Sequence, residues 1–136
     1  MKKLFYTRHN KLSVNLAALL LRIGFGILMI PTYGYGKLVN FSERHESFYD
    51  FLGIGSGISM GLAIFAELFC SCLLILGLCT RLATIPLIIT MLVVIYIHDW
   101  QLFAKMELSP AFLTGYLGIL LLGPGKYSLD HYLFRR

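Results

Sequence analysis

Residues 57–78 read GISMGLAIFAELFCSCLLILGL, an apolar run with one charge, Glu67, near its middle. A helix rises about 1.5 Å per residue, so roughly 20 apolar residues cross the ~30 Å hydrocarbon core of a bilayer. The run predicts a transmembrane helix holding a carboxyl group at mid-depth. A lone charge there costs at least ~2.5–3.5 kcal/mol on insertion scales, so it must face protein or water and find a partner. The other charge deep in an apolar run is Arg22, in LSVNLAALLLRIGFGILMIPTY (residues 12–33). Each falls near the midpoint of its run, and an Arg22–Glu67 pair is the expected contact.

Composition agrees with this reading. The 136-residue chain is 57% hydrophobic and 14% charged, with a mean hydropathy of +0.74. Soluble domains carry about 25% charged residues, and a chain this short cannot bury so much apolar surface. The expected fold is all-α: one domain, residues 1–136, forming a four-transmembrane-helix bundle with spans near 12–33, 57–78, 82–98 and 109–123. Pro31 is expected to kink or end the first span, and the glycines of TYGYGK to make a turn. Residues 38–56 mix Glu43, Arg44, His45, Glu46 and Asp50 with aromatics, which suits a short interfacial helix or packed loop. Gly57 and Gly61 form a G-x-x-x-G pair, a pattern of close helix contact. Ser109-Pro110 reads as an N-cap and first helical position.

The net charge of +5 does not point to nucleic acid, because the basic residues sit at the ends of apolar runs and not on one face. They act instead as topology signals. With four spans, Lys2, Lys3, Arg8, Lys11, Arg81, Lys126, Arg135 and Arg136 share one side, against Lys37, Arg44 and Lys105 on the other. Both termini are therefore expected in the cytoplasm. The three cysteines, Cys70, Cys72 and Cys79, have no C-x-x-C spacing and read as small packing residues. No histidine spacing supports a metal site.

Two constellations could carry chemistry. Arg22 and Glu67 form a candidate intramembrane polar site. It is either a structural ion pair that fixes helix register or a pocket that binds a ligand head group or handles a proton. At the outer end, Lys37 and His98 are candidate mouth residues, with Tyr33, Tyr35, Asp99 and Trp100 beside them. The plainer reading there is an aromatic belt with snorkelling charges. Histidine adds a possible proton carrier, since its unperturbed pKa is near ~6.5.

The ordered set LLLRIGFGILMIPTYGYGKL, AELFCSCLLILGLCTRLATIPLIITML, His98 after the third span, and GPGKYSLD resembles the DoxX family of small four-helix bacterial membrane proteins. The resemblance runs from about Leu19 to Leu133 and matches Arg22, Lys37, Glu67, His98 and the Gly123–Asp130 tail to recurring polar and glycine positions. The chain departs from the family where Tyr33-Gly34-Tyr35-Gly36-Lys37 replaces a small-residue or His-Gly turn. The resemblance implies the bacterial cytoplasmic (inner) membrane. It also implies a quinone-interacting or accessory subunit of a membrane oxidoreductase system, with quinone as the possible cofactor and other membrane or peripheral subunits as partners. The residues leave open whether the chain is an enzyme; no electron carrier is visible, so redox chemistry would need a partner or the quinone itself. A scaffold or assembly subunit is the alternative. A small transporter is disfavoured by size, and a homodimer through small-residue faces is the remaining partner expectation.

Overall fold

The computed structural model describes residues 10–47, 50, 52–97 and 109–134. Four long helices dominate these residues: α1 (Lys11–Val39), α3 (Ser56–Leu76), α4 (Thr80–Ile97) and α5 (Ser109–Leu122). Two short ones, α2 (Phe41–Arg44) and α6 (Leu129–Leu133), lie in the connection after α1 and in the tail. α1 and α3 are long and apolar enough to cross a membrane; α4 and α5 are apolar and shorter.

The helices start and stop for local reasons. The Asn10 side chain accepts from the Leu12 N–H at 3.1 Å and caps α1. α3 ends in a Schellman turn: Gly77 takes φ +75°, and the Leu78 N–H reaches the Leu73 carbonyl at 2.9 Å. α4 begins at once because Asp130, far along the chain, accepts from the Cys79 and Thr80 N–H groups at 2.6 and 2.8 Å. α6 is capped by Ser128, whose hydroxyl accepts from the His131 N–H. Pro86 lies inside α4 without breaking it.

α1 does not end at Pro31. A π-helical turn over Ile30–Gly34 carries it on to Val39. Proline lacks the N–H an α-turn needs, and the wider turn moves the bonding one residue along, with the Tyr35 N–H on the Ile30 carbonyl. Gly34 and Gly36 are therefore helical, not a reverse turn. α3 has a second π-helical turn, Phe65–Cys70. The expected interfacial element appears as α2, with His45 stacked on Phe41 at 5.3 Å.

α1 packs against α3 and α5, and α4 packs against α3 and α5, so the four helices close a ring. Its core holds Met29, Cys70, Leu74, Leu87, Met91, Phe112, Tyr116 and Ile119. Glycines set the close approaches. A Cβ on Gly26 would lie 2.7 Å from Ile75, and one on Gly34 2.6 Å from Leu68, so α1 and α3 run antiparallel through these two points. Gly115 of α5 packs on the Phe25 ring. Gly61, by contrast, meets nothing within 4 Å, so the Gly57–Gly61 pattern makes no helix contact among the described residues.

The burial pattern is inverted relative to a water-soluble bundle. Arg22 and Glu67 are 0% exposed, whereas Leu20 and Leu121 are 73% and 81% exposed. Apolar outward faces around buried charges are what lipid solvent requires.

Candidate functional site

Glu67 sits in the π-helical turn of α3, and Lys37 lies one turn beyond the π-helical turn of α1. The two wide turns face each other, because Gly34 lets α1 ride directly over Glu67 and Leu68. The Lys37 Nζ then donates to Glu67 Oε1 at 2.5 Å. The carboxylate is fully buried and the lysine one-fifth exposed, so the pair runs from the protein interior toward its surface. The same Nζ lies 5.7 Å from the Tyr33 ring centroid, within cation–π range. Wide turns of this kind are frequent at functional sites.

The second carboxylate oxygen, Glu67 Oε2, is buried and has no hydrogen-bond partner. One turn further along α3, the Ser71 hydroxyl is likewise buried and unpartnered, as is the Tyr116 hydroxyl of α5. Tyr116 faces Ser71 and lies within electrostatic reach of Glu67 and Tyr33, but it makes no hydrogen bond of standard geometry with Ser71. The Tyr33 and Ser109 hydroxyls are 3.1 Å apart. A buried polar atom without a partner forfeits about 1–3 kcal/mol, and three in one neighbourhood call for an explanation. Together they supply one acceptor and two donor-acceptor hydroxyls beside an ion pair.

The expected Arg22–Glu67 pair is not present. The reason is the length of α1. Lys37 and Arg22 lie on one helix, 15 residues apart, which is about 22 Å of rise. Because the helix runs through Pro31, Lys37 reaches the level of Glu67, while Arg22 lies opposite the far end of α3. There the Arg22 guanidinium donates to the Leu74 carbonyl at 3.2 Å and to the Tyr127 carbonyl at 2.5 Å, with Asp130 as its electrostatic counterpart. Arg22 ties the tail to the bundle. Gly77 makes room for it, since a Cβ there would collide with the guanidinium.

Lys37, expected at the mouth, thus joins Glu67 in one site. His98 lies outside the described residues, as do Asp99 and Trp100. Tyr35 is exposed and Tyr33 is partly buried in the core. Sequence reasoning missed Tyr116. Its signal was a phenol in the middle of an apolar run, where a buried hydroxyl normally needs a partner. The Gly123–Asp130 tail matches recurring positions, but nothing in it hints that Tyr127 and Asp130 meet Arg22. No group of His, Cys, Asp and Glu among the described residues could hold a metal ion.

These features define a helical protein with lipid-type outer surfaces and an internal ionisable site. The family model for DoxX matches residues 17–100, more than half of the chain. The chain belongs to the DoxX family, which is membrane-associated. Searches of curated proteins and of solved structures returned no match.

Proposed function

We propose that the chain is a four-span protein of the bacterial inner membrane, both termini cytoplasmic, acting as a quinone-interacting subunit of a membrane oxidoreductase system. The observation that supports this reading is the trio of buried, unpartnered polar atoms, Glu67 Oε2, Ser71 Oγ and Tyr116 Oη, beside the Lys37–Glu67 pair. A quinone head group offers carbonyl acceptors for hydroxyl donors within an apolar ring system. Its reduction to quinol takes two electrons and two protons. A redox partner subunit would supply the electrons, since the described residues of the site contribute acid–base and hydrogen-bonding groups. Glu67 would pass the two protons in turn to the quinone oxygens, recharged between them from the aqueous side through Lys37, which is partly exposed. Tyr116 and Ser71 would orient the ring.

The alternative is a scaffold or assembly subunit, and Arg22 favours it. Its two bonded nitrogens are committed to backbone carbonyls that hold the tail. Mass spectrometry of the protein in native-lipid discs, with Glu67→Gln as control, separates the two. Quinone retained by the wild type and lost in a folded variant supports the redox subunit. A constant co-purifying chain without quinone supports the scaffold and removes the basis of the redox reading.

A further inference from the structure

At the tail end of the bundle, remote from Glu67, an open cleft of about 680 Å³ lies between the start of α4 and the 123–134 tail. Arg81, Lys126 and His131 line it. Asp130 lines it too, but both its carboxylate oxygens already accept from the Cys79 and Thr80 N–H groups. Among the described residues, the Arg81 and Lys126 side chains have no ion pair or hydrogen bond. Arg81 lies against the backbone of Gly123, where φ is +78° and an added Cβ would stand 3.1 Å from Nη2. Lys126 is held from the other side, since its backbone N–H donates to the Asn15 side chain at 3.1 Å. Thr80, also on the cleft wall, is fully buried, and its hydroxyl has no partner.

Two unpaired cations lining one cleft make a receptor for an anion rich in acceptor oxygens. The remaining walls narrow the choice. Leu82 and Phe134 line the same cleft and are 68% and 70% exposed. A small soluble phosphate would use only the polar half; a phosphate carrying hydrocarbon would use both.

We propose that this cleft binds an anionic phospholipid, its phosphodiester held by Arg81 and Lys126, and its acyl chains laid against Leu82 and Phe134. Basic clefts at the membrane surface recognise such headgroups electrostatically, and the planar guanidinium matches phosphate geometry. The bound headgroup would bridge α4 to the tail that Arg22 anchors.

The test is native mass spectrometry of the full chain released from micelles containing phosphatidylglycerol or phosphatidylcholine. Phosphatidylglycerol should be retained and phosphatidylcholine not. Arg81→Gln and Lys126→Gln should each weaken retention about fivefold, and the double variant on the order of 30-fold. Arg44→Gln, which removes the same charge at the opposite end of the bundle, should change it less than about twofold on the same scale. A melting curve in detergent confirms folding, and the two single variants carry the test if the double variant does not fold. Equal retention of the two lipids, or retention unaffected by the Arg81 and Lys126 substitutions, overturns the proposal. Displacement of phosphatidylglycerol by millimolar inorganic phosphate also overturns it, and reassigns the cleft to a soluble phosphate.

Discussion

Removing Lys37 should leave Glu67 as an uncompensated buried carboxylate. At the 2.5 Å separation and an effective dielectric near ~20, the gross attraction is about 6–7 kcal/mol. Desolvation cancels much of this, and breaking a buried pair by deleting one partner costs about 3–5 kcal/mol. Because Lys37 is one-fifth exposed, Lys37→Met should fall at the low end, about 3 kcal/mol. Glu67→Gln should cost less, about 1–2 kcal/mol, since the ammonium it leaves behind reaches solvent. The double variant should resemble Glu67→Gln alone, giving a coupling of about 3 kcal/mol, the cost of Lys37→Met. Reversible unfolding in mixed micelles, followed by far-ultraviolet circular dichroism, measures all four corners of the cycle. Additivity of Lys37→Met and Glu67→Gln within about 0.5 kcal/mol would refute the pairing. So would a stronger coupling of Glu67→Gln to Arg22→Met than to Lys37→Met.

Tyr116→Phe removes a buried hydroxyl that faces Ser71 without a hydrogen bond of standard geometry, so the ligand-free protein should gain stability, by up to about 1 kcal/mol, while quinone retention falls; a loss of stability would show that the Ser71 contact is a structural bond. Gly77→Ala places a side chain at φ +75° and against the Arg22 guanidinium, and should destabilise by more than about 2 kcal/mol, read as a lower midpoint in the same unfolding assay. Asp130→Asn weakens a charge-assisted cap on two N–H groups and should cost about 0.5–2 kcal/mol, with faster hydrogen exchange at Cys79 and Thr80.

The apolar runs were legible because a bilayer demands length and hydrophobicity, and both are written residue by residue. Helical spacing also orders the faces: Ala18, Gly26 and Met29, four or seven residues from Arg22, are buried with it and Asn15 is half-buried, while Met60, Cys70 and Ser71 are buried with Glu67 and Ala63 is half-buried. What misled was punctuation. Pro31 and the glycines of TYGYGK normally stop a helix, but a π-helical turn absorbed the missing N–H and let α1 reach Val39. That one extension moved Lys37 to the level of Glu67 and separated Arg22 from it. Ser109 was legible as the start of a helix, yet its hydroxyl stands beside that of Tyr33, a contact fixed by how α1 and α5 pack. The tail was the least legible part. Asp130 reaches across 50 positions to start α4, and no local pattern encodes that contact.

The most direct test is photolabelling with an azido-quinone in native membranes, read by peptide mapping. The account predicts adducts on α3 around Glu67 and on α5 around Tyr116, abolished in a folded Glu67→Gln variant. Adducts confined to the Arg22 end of the bundle, or labelling that Glu67→Gln leaves unchanged, would contradict it.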